Sequence, residues 1–398
     1  MTHRRARLAL TAVAAVAFAA CGSDAGSDAS PSTTTQAPAT TTTAETTTEA
    51  VASSDAGAPT TEGVAGIDAD RCAENESAGT ITYLSGFDFA ASASIVDVLV
   101  AKDRGYYDEL CLDVELRASF STANYPLVAA NEAQFASGGS FSEVVDFGIK
   151  NQADLVAVVV EGKTGIDTLI VKDGEAPTIE DLAGTTIGVK GKITPSVKAM
   201  LAKHGLVEDT DYQTILLDGF DPTAHIAIPT IVGFPGYKSN EPGQLDRAGV
   251  PFHTFDPADD SIPGSFGVIF TSRQFLDDHP QAAQDFVRAT MRGLADAIAD
   301  PGAASDIALQ YINGNGNPNY LSPEGETFRW ETEAGLISST TPSGQPVGLP
   351  DETLLQAEID AYAAAGIFEN GAPSIATAFD ASLVQAVYGA DGQVTWPG

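Results

Sequence analysis

Positive charge, sulfur and long apolar runs are what this chain has least of. Its 398 residues carry 20 Lys and Arg against 54 Asp and Glu, a formal net charge of −34. So acidic a surface disfavours nucleic acid and anionic lipid as partners. It constrains a small ligand less, because net charge is screened within about 8–10 Å and local groups in a cleft outweigh it. The carboxylates read first as a solvated surface. With 3 cysteines the chain cannot supply a cysteine-rich motif, and His204, His225, His253 and His279 lack metal-ligand spacing, so no metal or cofactor is expected. The apolar run at residues 8–20 is too short to cross a bilayer, which takes about 20 residues. Gly162-Lys163-Thr164 echoes a phosphate loop, but Ala157 stands where its first glycine belongs. Gly138-Gly139-Ser140-Phe141-Ser142 lacks the closing glycine of a nucleophile elbow.

What is present begins with an export signal. Arg4, Arg5 and Arg7 precede the apolar run, the pattern of a cleaved signal over residues 1–20. Without those three arginines the charge becomes −37 (−34 − 3). Phe18-Ala19-Ala20-Cys21 resembles the lipobox of bacterial lipoproteins, with Phe18 where Leu is usual. That resemblance implies a diacylated Cys21 and a membrane anchor made by lipid alone; an ordinary secretory signal is the alternative. Residues 22–66 are rich in Thr, Ser, Ala and Pro, have no Lys or Arg, and cannot build a core. Residues 21–78 are therefore expected to be a tether. Cys72 and Cys111 remain as an even pair in an oxidising compartment, so a disulfide is expected, with two buried thiols as the alternative.

From residue 79 strand-like and helix-like stretches alternate, which argues for α/β architecture with mostly parallel sheets. Strands are expected at 80–84, 112–116, 134–136, 155–160, 168–172, 185–190, 212–217, 231–234, 252–255 and 267–270. Helices are expected at 92–104, 125–131, 280–299, 352–365 and 382–388. Ala283, Val287, Leu294 and Ile298 form the inward stripe of the longest. Thr178 to Asp181 has the spacing of a capping box, and Thr194-Pro195 that of an N-cap followed by proline at the first helical position.

This order of segments resembles a family. Gly86-Phe87-Asp88-Phe89, Val100-Ala101-Lys102-Asp103-Arg104-Gly105-Tyr106-Tyr107 and Leu112-Asp113-Val114-Glu115 look like the opening of the ABC-importer solute-binding proteins for nitrate, sulfonate, taurine and thiamine-pyrimidine precursors. Asp181-Leu182-Ala183-Gly184-Thr185-Thr186-Ile187-Gly188-Val189 is similar to the start of that family's second lobe. The resemblance implies a two-lobed, type II periplasmic-binding-protein-like fold: lobe one at 79–172, lobe two at 173–267, and a return to lobe one with C-terminal helices at 268–398. Crossing strands are expected near 168–172 and 267–271. It further implies a monomeric, non-catalytic protein outside the cytoplasmic membrane that hands a small molecule to an ABC permease. Gly236-Tyr237-Lys238-Ser239-Asn240-Glu241-Pro242 most resembles the branch that binds aromatic heterocycles, thiamine pyrimidine precursors or flavins. A small anion such as a sulfonate, taurine or nitrate is the alternative ligand. A pyrimidine-precursor synthase and a surface ligand sensor are more distant readings.

In open α/β lobes ligands sit beyond the carboxyl ends of the strands. Candidate ligand contacts are therefore Phe87, Asp88 and Phe89, then Ser137 and Ser140 in lobe one, and Lys192, Thr194, Tyr237, Asn240 and Glu241 in lobe two. The structural alternatives are two core aromatics with a capping Asp88, a solvated Lys192, and a turn in which Asn240 starts a helix. A hydrogen bond to a charged group contributes about 1.5–3 kcal/mol, more than one ring contact, so Glu241 is expected to weigh most in ligand identity.

Overall fold

The computed structural model describes residues 67–315 and 322–397. The export signal, Cys21 and most of the expected tether lie outside them. Among the described residues no helix is long and apolar enough to cross a membrane.

The first sheet is laid down by α1 (Ala69–Ser77), β1 (Thr80–Leu84), α2 (Val96–Asp103), α3 (Tyr106–Glu109), β2 (Asp113–Arg117), α4 (Ser121–Ala129), β3 (Phe135–Gly138), α5 (Phe141–Asn151) and β4 (Leu155–Gly162). The second follows with β5 (Asp167–Lys172), β6 (Thr186–Val189), α6 (Pro195–Lys203), β7 (Gln213–Leu216), α7 (Pro222–Ile226), β8 (Gly233–Tyr237), α8 (Glu241–Ala248) and β9 (Phe252–Phe255). The chain then returns through β10 (Phe266–Ser272) to α9 (Arg273–Asp278), α10 (Pro280–Ala299), α11 (Pro301–Asn315), α12 (Pro323–Thr340), α13 (Glu352–Ala364) and α14 (Ser382–Val387).

Both sheets follow one plan. Their orders are β2-β1-β3-β10-β4 and β7-β6-β8-β5-β9. In the first only β10 runs against its neighbours, and in the second only β5 does. All eight residues of β4 and all seven of β10 are buried, the continuous apolar pattern of strands covered on both faces. The two reversed strands follow the two crossings between sheets, at 163–166 and 256–265. These crossings touch backbone to backbone: a Cβ on Gly264 would lie 2.6 Å from the amide nitrogen of Gly165. Lys238 ties the same place, donating to the Gly165 carbonyl at 2.8 Å and pairing with Asp256 at 2.8 Å.

Three expectations need correction. β5 was placed with the first lobe, but it pairs with β8 and β9 in the second sheet, so the crossing precedes it. The tether does not run to residue 78. Asp68 caps α1 by accepting from the Arg71 amide, and Arg71 and Asn75, one turn apart, both bond Asp285 of α10. Cys72 and Cys111 are joined, which fastens α1 to the start of β2. Finally, α4 starts at Ser121 rather than near 125 and carries Pro126 inside it, a position that removes one helical N–H donor.

α10 has the bounds the sequence suggests, with Ala283, Val287 and Leu294 buried and Ile298 partly so. It lies so close to α2 that a Cβ on Gly293 would sit 2.2 Å from the Asp97 carbonyl. α11 and α12 are not foreseen. The Trp330 side chain of α12 is wholly buried and donates to the Ala297 carbonyl at 2.9 Å, locking α12 against α10.

Candidate ligand-binding cleft

The strands of both sheets point their carboxyl ends at one cavity of about 360 Å³. β1 delivers Phe87, β2 Phe120, β3 Ser137, β6 Lys190, β7 Phe220 and β8 Tyr237. The reversed strands present their starts instead, Asp167 from β5 and Phe266 and Gly267 from β10. Asp167 and Tyr237 are register partners across β5 and β8, which fixes their spacing on the wall.

Aromatic rings supply much of that wall. Phe87 meets Phe120 edge-on at 5.7 Å and reaches Phe220, on the other sheet's side, at 5.9 Å. Phe220 and Tyr237 remain 48% and 47% exposed, open ring surface of the kind that marks a binding groove. Lys190 stands 4.9 Å over the Phe220 ring and pairs with Glu241 at 2.9 Å. Glu241 also accepts from the Tyr237 amide at 2.8 Å. Asp167 accepts from the Ser196 hydroxyl at 2.8 Å, and burial pushes its carboxyl up to about 7.

The C-terminal segment reaches the cleft through α12. Arg329 donates to Glu326 at 2.6 Å and to the Asn240 side-chain oxygen at 3.1 Å, with its guanidinium 5.8 Å from the Phe87 ring centre. Glu333 accepts from the Ala93 amide and the Ser239 hydroxyl at 2.6 Å each, and from the Ser92 hydroxyl at 3.1 Å. It therefore bonds loops of both sheets at once. Burial raises its carboxyl, and the bonds it accepts oppose that rise.

Glutamates fill backbone donors around the cleft. Besides the Glu333 bond to Ala93, Glu326 accepts from the Ala91 amide at 2.9 Å, Glu161 from Ser94 at 2.8 Å, and Glu358 from Ser142, in the first turn of α5, at 3.0 Å. All four carboxylates are at most 3% exposed.

Of the residues singled out in the sequence, Phe87, Ser137, Lys192, Thr194, Tyr237, Asn240 and Glu241 line the cavity. Thr194 occupies the N-cap position of α6 but makes no capping bond, and its buried hydroxyl has no hydrogen-bond partner among the described residues. Asp88, Phe89 and Ser140 are off the wall. Asp88 takes a positive φ of 47°, which turns the chain so that Phe87 faces the cavity while Phe89 packs in the core 5.6 Å from Tyr311. The Ser140 hydroxyl bonds that of Ser142 at 2.9 Å. Glu241 differs from expectation in another way: its carboxylate already holds Lys190 and the Tyr237 amide. Phe120, Phe220, Lys190, Asp167, Arg329 and Glu333 were missed. The phenylalanines and Lys190 follow strand ends like the residues that were found. For α12 the signal was Ser322-Pro323, an N-cap before proline, and the Ser322 hydroxyl does accept from the Gly325 amide.

Two mostly parallel sheets, each with one reversed strand, facing each other across a ligand-sized cleft define the periplasmic-binding-protein-like fold. The chain belongs to the NMT1/THI5-like family, whose model matches residues 92–304. It is 35% identical over 137 residues to the riboflavin-binding protein RibY of Chloroflexus aurantiacus, a match covering 34% of this chain and 38% of that relative. It is 25% identical over 232 residues to the 4-amino-5-hydroxymethyl-2-methylpyrimidine phosphate synthase of Legionella pneumophila, covering 54% of this chain and 68% of the relative. Among solved structures it is similar to the protein assigned as the periplasmic sulfonate-binding protein SsuA of a sulfonate ABC transporter in Methylobacillus flagellatus KT. There the TM-score is 0.55 at 16% identity, over 77% of this chain and 93% of that one.

Proposed function

We propose that the protein is the extracytoplasmic solute-binding component of an ABC importer, that it captures a flat aromatic heterocycle in the cleft, and that it delivers this to the permease without chemistry. A thiamine pyrimidine precursor or a flavin-like ring is the proposed ligand. The observation that carries the reading is the pairing of aromatic walls with filled backbone donors. Phe87, Phe120, Phe220 and Tyr237 give the wall aromatic surface for a ring to pack on, and each aromatic contact contributes about 0.5–1.5 kcal/mol beyond burial. A small anion needs free N–H groups, of the kind a helix N-terminus supplies, and two on the wall, the amides of Ala93 and Ser94, are already held by Glu333 and Glu161. A cavity of about 360 Å³ is within the usual range for small-molecule sites. The riboflavin-binding name of one relative agrees with this ligand class. Lys192 and Thr194 favour the second reading, a small anion, because both line the cavity and the buried Thr194 hydroxyl has no hydrogen-bond partner among the described residues, although Glu143 offsets the Lys192 charge. No catalytic role is assigned, since both described cysteines are joined in a disulfide that is not on the cavity wall. We place the protein at the outer face of the cytoplasmic membrane, held by lipid on Cys21, on the strength of the export signal and lipobox-like junction.

The test is a thermal-shift panel of riboflavin, 4-amino-5-hydroxymethyl-2-methylpyrimidine, taurine and nitrate, on the wild type and on Phe220→Ala. A heterocycle should raise the melting temperature and the anions should not, with Phe220→Ala weakening the heterocycle about tenfold. A response to taurine or nitrate alone would overturn the reading.

A further inference from the structure

Ser137 sits at the end of β3, in register with Ile269 of β10, and its carbonyl accepts from the Asn124 amide group at 2.9 Å. Its backbone is thus fixed, and its side chain is buried at the base of the cavity. Its hydroxyl lies 2.6 Å from that of Ser94, which is also buried and also on the wall. Distance alone leaves the donor of this pair open. The surrounding protons decide it.

Ser94 is held on every side. Its amide donates to Glu161, its carbonyl accepts from the Tyr83 hydroxyl, and its own hydroxyl lies 2.6 Å from the Ala93 carbonyl. A carbonyl oxygen can only accept, so the single proton of the Ser94 hydroxyl is committed to Ala93. The Tyr83 hydroxyl, which also neighbours Ser137, has committed its proton to the Ser94 carbonyl. Both hydroxyls beside Ser137 can therefore only accept from it. Its one proton points inward, and only its lone pairs remain for the cavity.

We infer that Ser137 is the specificity-determining acceptor of this cleft, reading an N–H, amino or hydroxyl donor on the edge of the bound heterocycle and rejecting edges that offer only lone pairs. This rests on the heterocycle reading above and goes beyond it by fixing the polarity of one ligand edge. A site built to receive a hydrogen bond discriminates against an analogue that lacks the donor, because the buried acceptor is then left without a partner. One neutral hydrogen bond corresponds to about three- to tenfold in affinity. Ser94 is a positioning residue: it touches the reader and sets which way the reader's proton points.

The experiment is isothermal titration with two matched pairs: riboflavin with 3-methylriboflavin, and 4-amino-5-hydroxymethyl-2-methylpyrimidine with its 4-dimethylamino counterpart. Within each pair the methylated member exchanges N–H donors for methyl groups and keeps its other donors and acceptors. In the wild type the donor-bearing member of at least one pair should bind about three- to tenfold more tightly. Ser137→Ala should bring that ratio close to one. Ser94→Ala combined with Tyr83→Phe keeps the Ser137 hydroxyl but removes both of its inward acceptors, so its proton can turn outward and the ratio should fall as well, an effect that loss of packing alone would not produce. A ratio unchanged in both variants, or absent from the wild type although the heterocycles bind, overturns the assignment of Ser137 and leaves the heterocycle reading standing. If neither pair binds, both fall.

Discussion

Replacing Asp97 with Asn should make the protein more stable at neutral pH, although it removes a charged side chain from the core. Asp97 in α2 and Glu161 in β4 are both wholly buried. Apart from Glu161 and the nearby amides of Asp97 itself and Val98, Asp97 faces no donor among the described residues, and one oxygen of Glu161 has none. Two facing carboxylates can satisfy each other only by sharing a proton. Burial pushes Asp97 from an ordinary 3.8 up to about 7, against a bond from Glu161 that holds it lower, and burial together with the neighbouring Asp97 charge raises Glu161 further. The remaining groups around the pair give little relief. Tyr83, Tyr107 and Tyr388 are raised themselves, Glu333 adds negative charge, and the Lys163 amine is pushed down to about 8 by burial.

The sign follows from proton counts. Between about pH 4 and pH 7 the folded state keeps a proton on Asp97 that the unfolded chain has released, so the Asp97 contribution to stability falls as pH rises through that window and levels off above it. The slope is about 1.4 kcal/mol per pH unit, and a shift of roughly three units amounts to about 4 kcal/mol. In Asp97→Asn the amide donates to the unpartnered Glu161 oxygen and this term disappears. Glu161→Gln is the mirror variant, keeping the Ser94 contact while donating to Asp97. Urea denaturation of wild type and Asp97→Asn from pH 5 to pH 8 should give curves that diverge by about 3 kcal/mol towards pH 8, the variant being the more stable there. Taking the difference cancels the buried carboxylates outside the pair, while the Glu161 rise that Asp97 causes is removed with it. Parallel curves would refute the shared-proton account.

Two further outcomes are expected. Glu333→Gln turns into a donor one of two oxygens that serve opposite sides of the cleft, Oε2 accepting from the Ala93 amide and Oε1 from the Ser239 hydroxyl, so it should cost about 2–3 kcal/mol and give a larger radius of gyration by small-angle scattering, and an unchanged radius would deny Glu333 a role in holding the lobes together. Cys21→Ala should move the protein from the membrane fraction to the medium, and retention in the membrane would remove the lipid anchor.

The fold was readable where local chemistry marks each element. Thr178 and Asp181 form the capping box their spacing suggests, around a 3₁₀ turn at Ile179–Leu182, and Pro280 opens α10 at the expected residue. β5 was misplaced because an apolar strand does not announce which sheet it will join. Its neighbours are 233–237 and 252–255, and only their pairing settles it. The site divides in the same way. Phe87 and Tyr237 were legible because each follows the end of its own strand. Arg329 and Glu333 were not, because their place on the wall depends on α12 packing over loops that lie far back in the chain.

The acidic composition carries the larger lesson, since a surplus of carboxylates was read as a solvated surface. Glu161, Glu326, Glu333 and Glu358 are buried, and each accepts a backbone N–H close to the cleft. A buried carboxylate is tolerated only when hydrogen bonds replace its lost hydration or a proton neutralises it. Here backbone donors supply those bonds, and Asp97 with Glu161 uses the second route as well. Each donor so used is no longer open to a ligand's negative charge, so internal anions push the cleft towards ligands that bring donors and ring faces. The polarity inferred for Ser137 points the same way from separate atoms, since its lone pairs, like the filled N–H groups, ask a ligand to give a proton rather than take one.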